Sequence, residues 1–254
     1  MDRPREIPLL SFDRQDRSVF DPQEALRYYQ GVLGLEQIRA ERECLVCFDS
    51  QILEELVKQT KARENPRWIF HHRPERRLYS FQRGRKEISL LCFDFGASAS
   101  ATLMEFLIAC GTERFLFFGS AGTLQSYLQI GDLVIGNRAI REEGVSYHYL
   151  EPGYAVEGSS RLATALEEAC QELGLPYQVG STWTTDAVFR ETRDKVKRYQ
   201  EEGVLTVEME AAALYAVATF RGVEAIGLFY ISDSLADLTW RPGFLEEAAR
   251  KAIS

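Results

Sequence analysis

The stretch from Leu205 to Asp237, "LTVEMEAAALYAVATFRGVEAIGLFYISDSLAD", reads as a strand, an alanine-rich helix and a second strand. Apolar and polar residues alternate from Leu205 to Glu210, which is the period of a strand, so Glu208 and Glu210 are expected to share one face. Short apolar runs such as "RFLFF" alternate with helical patterns such as "SSRLATALEEACQELG" through most of the chain. This alternation predicts an α/β fold with a largely parallel sheet and helices outside it.

Ligands of α/β proteins gather at the carboxyl ends of strands. Three predicted strands end in small or polar residues: "LLCF" runs into 94–98, "FLFF" into 119–122 and "GLFYI" into 232–234. These three segments are therefore the first places to look for a binding site.

The length and composition indicate a folded globular protein. The 254 residues are 45% hydrophobic, and no repeat or low-complexity linker divides them. We expect an N-terminal extension over residues 1–40, with one short helix capped by Asp21, followed by a single domain over residues 41–254. No run reaches the roughly 18 apolar residues of a membrane helix, and the start lacks the apolar stretch of a secretory signal. A cytoplasmic location is the resulting expectation.

The charge and the cysteines exclude several classes of protein. A formal net charge of −8 argues against a nucleic-acid binder, which needs a basic face. The five cysteines are an odd number in largely apolar surroundings, which favours reduced buried thiols over disulfides or a metal site. The arginine-rich segment 73–86 is open to two interpretations, a solvated hairpin or a local anion site.

Two acidic residues carry the strongest chemical signal. Glu210 precedes the predicted helix, where the helix dipole favours an ionised carboxylate able to accept hydrogen bonds from a diol such as that of ribose. Simple capping of the helix is the alternative interpretation. Asp233 follows a buried strand, where it is either a turn residue or an acid facing a ligand.

Three segments together resemble the nucleoside phosphorylase superfamily, which includes uridine phosphorylases, hexameric purine nucleoside phosphorylases and methylthioadenosine nucleosidases. They are 207–237, "FFGSAGTLQSYLQIGDLVIGNRAIREEGVSYHY" at 117–149 and "TTDAVFRET" at 184–192. The resemblance covers roughly residues 44 to 254. It implies a three-layer phosphorylase-type fold with a mixed central sheet flanked by helices. It also implies an enzyme that cleaves the N-glycosidic bond of a nucleoside through an oxocarbenium-like transition state.

By this resemblance the site residues fall into groups. Met209 and Glu210 would hold the ribose, and Asp233 would be the general acid that assists the leaving base. The base-binding candidates are Val188, Phe189, Arg190 and Arg193.

The phosphate side departs from the family pattern. Ile52 and Phe117 stand where phosphorylases have arginines, and Phe93 stands where they have a phosphate-binding threonine. Loss of two charge-assisted hydrogen bonds would weaken phosphate binding by roughly 3 to 6 kcal/mol.

Other features of the phosphate or nucleophile site are retained. Gly96, Gly119 and Ser120 match its small and hydroxyl residues, and Arg76 matches an arginine that some relatives donate to a neighbouring subunit. Glu55 is the nearest counterpart of the glutamate that activates water in the nucleosidases, with an exposed helix residue as the alternative interpretation.

The resemblance implies a small-molecule nucleoside substrate, no metal and no organic cofactor, with inorganic phosphate as a possible co-substrate. It implies no nucleic acid or membrane partner, and a homodimer or trimer of dimers in which Arg76 crosses the interface. Water and phosphate remain open as acceptors. A nucleoside or nucleotide sensor that has lost turnover is the alternative function, and a Rossmann dehydrogenase is disfavoured because "GSAGTL" does not match G-x-G-x-x-G.

Overall fold

A computed structural model describes residues 7–10, 13, 16–34 and 38–253. The strands are β1 Glu43–Cys47, β2 Arg63–Glu64, β3 Tyr79–Arg83, β4 Lys86–Cys92, β5 Arg114–Thr123, β6 Leu133–Glu142, β7 Ala155–Glu157, β8 Tyr177–Thr185, β9 Thr206–Glu208, β10 Glu224–Ser234 and β11 Arg241–Pro242. The helices are α1 Pro22–Leu33, α2 Ser50–Thr60, α3 Ala97–Ala109, α4 Ser146–Tyr149, α5 Ser160–Leu173, α6 Arg193–Glu201, α7 Ala211–Arg221 and α8 Glu247–Ile253.

The central sheet is mixed and curls on itself. Strand β10 pairs in parallel with β5 and antiparallel with β6, while β6, β8 and β9 pair in parallel. Because β9 also pairs with β5, the strands β5, β9, β8, β6 and β10 form a closed ring. Strands β1, β4, β3 and β2 extend the sheet from β5. The predicted α/β architecture with a mixed central sheet flanked by helices is confirmed.

Helix α7 lies at the centre of the packing. Every residue from Ala211 to Ala218 is buried, as expected of a helix that is apolar all round. The hydroxyl of Tyr215 accepts a hydrogen bond from the Gly227 N–H at 2.8 Å and donates one to the Gly136 carbonyl at 2.5 Å. These two bonds tie the helix to β10 and β6, the strands whose pairing contributes to closing the ring.

The N-terminal helix forms where the sequence predicts it. The Asp21 carboxylate accepts the Glu24 N–H at 2.8 Å, and Gly34 ends the helix with a φ of 64°. Tyr29 packs edge-on against Phe106 of α3, with ring centroids 6.2 Å apart. The predicted extension therefore contributes a helix that packs on the body of the protein, although much of the rest of 1–40 lies outside the described residues.

The remaining expectations can be compared with the structure element by element. All five cysteines are buried free thiols, as predicted. The last helix of the described chain, α8, runs from Glu247 to Ile253. Within the described residues, none of the helices combines the length and the apolar character needed to span a bilayer.

Candidate active site

A cavity of about 480 Å³ opens at the ends of β5, β9 and β10. Seven of the residues that the sequence singles out line it: Gly119, Ser120, Val188, Phe189, Met209, Glu210 and Asp233. Phe95, from the segment after β4, contributes to the same wall. The three strand ends expected to carry a site therefore converge on one cavity.

Glu208 and Glu210 both line the cavity, but their side chains have different partners. Glu208 accepts the backbone N–H groups of Glu210 and Ala211 at 2.7 and 2.6 Å and the Thr184 hydroxyl at 2.5 Å, so it caps α7. Glu210 accepts the Gly96 N–H at 2.6 Å and the Met209 N–H at 3.2 Å. The alternation of apolar and polar residues expected from the sequence ends at Glu208, where β9 stops. Glu210 lies in the turn that leads into α7, and this turn sets the direction of its side chain.

Burial opposes the ionisation of Glu210 that the helix terminus was expected to favour. Glu210 is 8% exposed, and its burial, followed by the neighbouring Glu208 carboxylate, raises the pKa of Glu210 to about 8. Burial also raises the pKa of Glu208, although the hydrogen bonds from Thr184 and the backbone oppose that shift. Two carboxyl groups placed side by side in a dry site cannot both ionise easily. The pair is therefore poised to change its charge when a ligand supplies new hydrogen-bond donors.

Asp233 is held by two donors at the end of β10. The Ser232 hydroxyl donates to Oδ1 at 2.7 Å, and the Trp240 indole N–H donates to Oδ2 at 3.0 Å. A Cβ atom placed on Gly122 would lie 3.2 Å from Oδ2 and 2.9 Å from a Leu235 methyl group. Glycine at this position thus makes room for the Asp233 carboxylate.

Glu191 is a cavity residue that the sequence analysis does not single out. It follows the short turn Val188–Arg190 and precedes α6. Burial, and to a smaller extent the Asp233 carboxylate, raises the pKa of Glu191 to about 7. The Asp233 end of the cavity therefore carries two acidic groups.

The positions that depart from the phosphorylase pattern are apolar in the structure. Phe93 and Phe117 are buried with ring centroids 6.1 Å apart, and Phe48 packs on Phe93 at 6.2 Å. Ile52 is buried as well. A Cβ atom on Gly119 would meet the Phe48 ring at 2.9 Å, so this glycine makes room for an aromatic wall.

Three residues predicted for the phosphate or nucleophile site do not line the cavity. Gly96 lies behind Glu210 and gives it its N–H group, with a φ of 92° that favours glycine. Arg76 forms an ion pair with Asp94 of its own chain, so its crossing to another subunit stays a prediction. Glu55 is exposed on α2 and accepts a hydrogen bond from Gln59 at 2.9 Å, which is the alternative interpretation given above.

Two of the four base-binding candidates line the cavity and two do not. Val188 and Phe189 line the cavity at its mouth, where Phe189 is 96% exposed. Arg190 and Arg193 are exposed and do not line it. Arg190 ends the short turn and Arg193 begins α6, which directs both toward solvent.

The cavity has an acidic lining. Four carboxyl groups face it, from Glu191, Glu208, Glu210 and Asp233, and its lining contains no Lys, Arg or His among the residues that the structure describes. No group of three or more His, Cys, Asp or Glu side chains in the described ranges has the arrangement of a metal site. The described lining therefore offers carboxyl oxygens as hydrogen-bond acceptors and no cationic side chain to pair with an anion.

Trp240 and Glu191 are the residues that sequence reasoning missed, whereas Ser232 lies in the segment 232–234 that it pointed to. Ser232 adjoins Asp233, which was a usable signal. Trp240 lies seven residues beyond Asp233 in a segment without periodicity, and its contact depends on the turn that brings β11 back beside β10. Glu191 stands in a polar segment of the sequence, and its raised pKa is caused mainly by burial in the folded protein.

Comparison with known proteins identifies the family of this chain. Residues 43–253 match the model of the phosphorylase superfamily. The chain is 31% identical to a uridine phosphorylase of Thermococcus kodakarensis over 185 residues, 68% of this chain and 66% of that protein. It is 32% identical to a DeoD-type purine nucleoside phosphorylase of Alkaliphilus metalliredigens over 139 residues, 54% of this chain and 60% of that protein. The matched segment thus spans somewhat under two thirds of the length of these curated relatives.

Solved structures show the same fold. A uridine phosphorylase from Vibrio fischeri aligns with a TM-score of 0.73 at 21% identity, covering 84% of this chain and 86% of that one. A purine nucleoside phosphorylase from Toxoplasma gondii, in complex with immucillin-H, aligns with a TM-score of 0.76 at 19% identity, with the same coverage of both chains. These likenesses concern the fold, whereas the family match extends over most of the sequence. The chain belongs to the phosphorylase superfamily.

Proposed function

We propose that this protein cleaves the N-glycosidic bond of an uncharged nucleoside and uses water as the acceptor. The observation that carries the proposal is the cavity itself, which has Met209 and Glu210 on one wall, Asp233 on another and no basic side chain among its described lining residues. The family membership and the phosphorylase relatives support a nucleoside as the ligand.

We assign Glu210 to the ribose because it accepts fewer hydrogen bonds from the protein than Glu208 does. Glu208 is engaged by two backbone N–H groups and a threonine hydroxyl. Glu210 accepts one hydrogen bond on each oxygen, which leaves acceptor capacity on a carboxylate that lines the cavity. The 2′ and 3′ hydroxyl groups of a ribose would supply two donors to it, and the base would then extend toward Asp233.

Water is favoured over phosphate on electrostatic grounds. A phosphate dianion would find no charge-assisted donor among the described residues that line the cavity. Such donors contribute about 1.5 to 3 kcal/mol each in anion sites, and the positions from which phosphorylases would supply them are filled here by Ile52 and Phe117. The same argument disfavours nucleotides, whose phosphate groups carry charge.

The experiment is a panel of purine and pyrimidine nucleosides, incubated with and without inorganic phosphate and assayed for free base, ribose and ribose 1-phosphate. We expect free base and ribose at a rate that phosphate does not change. Formation of ribose 1-phosphate would identify a phosphorylase instead. Tight binding by calorimetry without release of base over hours would identify the sensor.

We also propose that the protein is a homodimer or a trimer of dimers. The family resemblance supports this assembly, and multi-angle light scattering tests it. The ion pair between Arg76 and Asp94 within one chain allows a further check. If Arg76 serves a neighbouring site, Arg76→Ala subunits mixed with Glu210→Gln subunits will regain activity in the hybrid assembly.

A further inference from the structure

Glu191 lines the cavity as a half-buried carboxyl group without a hydrogen-bond partner in the protein. Its side chain makes no hydrogen bond or ion pair with any described residue. Its backbone lies between the turn Val188–Arg190 and the start of α6, where Thr192 caps the helix. A carboxyl group that is partly withdrawn from water and accepts no hydrogen bond carries a desolvation cost. Its position on the cavity wall indicates that a ligand supplies the missing donor.

The side-chain donors of the cavity are already engaged within the protein. The Ser232 hydroxyl and the Trp240 indole N–H both donate to Asp233, at 2.7 and 3.0 Å. Ser120 is the other described lining residue with a hydroxyl group, and this hydroxyl is hydrogen-bonded to the side chain of Tyr230. The Asp233 end of the cavity therefore offers a base the carboxyl oxygens of Asp233 and Glu191 and no free side-chain donor from the described lining.

A base with an exocyclic amino group matches this arrangement better than a base with a carbonyl group in the same place. In a 6-aminopurine the ring nitrogen N7 accepts a hydrogen bond and the neighbouring amino group donates one, and both lie on one edge of the base. With the ring nitrogen at Asp233, the amino group would lie in the part of the cavity that Glu191 shares with Asp233. A 6-oxopurine would instead place a carbonyl oxygen against a carboxylate, which leaves both acceptors without a donor.

We propose that the substrate is a 6-aminopurine nucleoside, and that Glu191 is the residue that selects it over 6-oxopurine and uracil nucleosides by accepting a hydrogen bond from the amino group. The inference rests on the proposed function and names its substrate class. Asp233 keeps its assignment as the acid that faces the ring nitrogen. The proposal separates this chain from its uridine phosphorylase relative, because uracil carries two carbonyl oxygens and no amino group.

The experiment compares adenosine, purine riboside and inosine, which share the sugar and the ring system and carry an amino group, a hydrogen and a carbonyl oxygen at position 6. The assay is run above the pKa of Glu191, which burial raises to about 7, so that its carboxyl group is ionised. In the wild type kcat/KM should be about 10 to 100-fold higher for adenosine than for inosine, with purine riboside between them.

The variant Glu191→Gln tests the residue itself. The amide can donate to a carbonyl group as well as accept from an amino group, so the ratio of kcat/KM for adenosine to that for inosine should fall below about threefold. A merely structural role of Glu191 would lower all three rates equally and leave the ratio unaltered. The matched control is Glu201→Gln, the same change at an exposed position on α6, which should keep the wild-type ratio.

Three results overturn the inference while the proposed function stands. They are an equal or higher kcat/KM of the wild type for inosine than for adenosine, faster cleavage of uridine than of adenosine, and a ratio that Glu191→Gln leaves unaltered. A wild type that releases no base from any of these nucleosides overturns the proposed function. Dissociation constants from calorimetry then decide the inference: a preference for adenosine over inosine that Glu191→Gln removes supports it, and equal affinities or no binding overturn it.

Discussion

The substitution Glu210→Gln should raise stability at alkaline pH while it removes activity. Glu210 is buried beside Glu208, and its pKa is raised from an ordinary value of 4.5 to about 8. As the pH rises, the unfolded chain releases this proton first, so the folded protein loses stability from about pH 4.5 until Glu210 itself ionises near pH 8. At about 1.4 kcal/mol per pH unit, this amounts to about 3 kcal/mol between about pH 5.5 and about pH 8.5.

The assay is denaturant unfolding of the wild type and Glu210→Gln at the two ends of that pH range. In the variant about 3 kcal/mol of the pH-dependent loss should disappear, which corresponds to roughly 6 to 12 °C in thermal melts of a chain of this size. Glu208 should still contribute to the pH dependence of the free energy of unfolding in the variant, because burial raises its pKa as well. Glu201→Gln, at an exposed position, should retain the full wild-type slope.

The catalytic activity of the Glu210→Gln variant should fall, although its stability at alkaline pH rises. Two hydrogen bonds from ribose hydroxyls to a carboxylate contribute about 1.5 to 3 kcal/mol each, so replacing the carboxylate by an amide should lower kcat/KM by about 10² to 10⁴-fold. Equal pH slopes in the wild type and Glu210→Gln would refute the argument from burial. Near-normal kcat/KM in the variant would refute the assignment of Glu210 to the ribose.

Three further changes test separate parts of the structure. Trp240→Phe removes the indole donor to Asp233 and should lower kcat by about 10 to 100-fold, measured as release of free base, with the melting temperature unchanged. Gly122→Ala places a methyl group 3.2 Å from the Asp233 carboxylate and should reduce the rate without unfolding the protein, which circular dichroism checks; an unaltered rate would contradict the close approach. Tyr215→Phe leaves two buried backbone groups unpaired and should lower the free energy of unfolding by about 1 to 3 kcal/mol in urea titrations.

The local elements were predictable because their causes are local. The Asp21 cap and Gly34 stop define α1, and the apolar pattern defines β5 and β10. The sequence also indicated the three strand ends as places to look for a site, because ligands of α/β proteins gather at the carboxyl ends of strands. The family signature points to Met209, Glu210 and Asp233, and all three line one cavity.

The closure of the sheet was not predictable in this way. Strand β10 pairs with β5 and also with β6, and no periodicity in the sequence reports which strands lie side by side. This closure brings Asp233 and Glu208 to one cavity, although they belong to different strands. Burial depends on the same packing, since the aromatic wall of Phe48, Phe93 and Phe117 forms from separate segments.

What the sequence determined by itself is therefore the type and order of the elements, which depend on contacts between near neighbours in the chain. The signature acids were identified by the resemblance to the family. What only the tertiary structure decided is the protonation of those acids and the choice of partners around them. Glu191 and Glu210 have raised pKa values chiefly because packing excludes water from them. The Asp233 carboxylate, from a distant segment, adds to the shift at Glu191, and Glu208, a near neighbour in the chain, adds to the shift at Glu210. Solvation and long-range charge are properties of the packed molecule, so they could not be read from the order of residues.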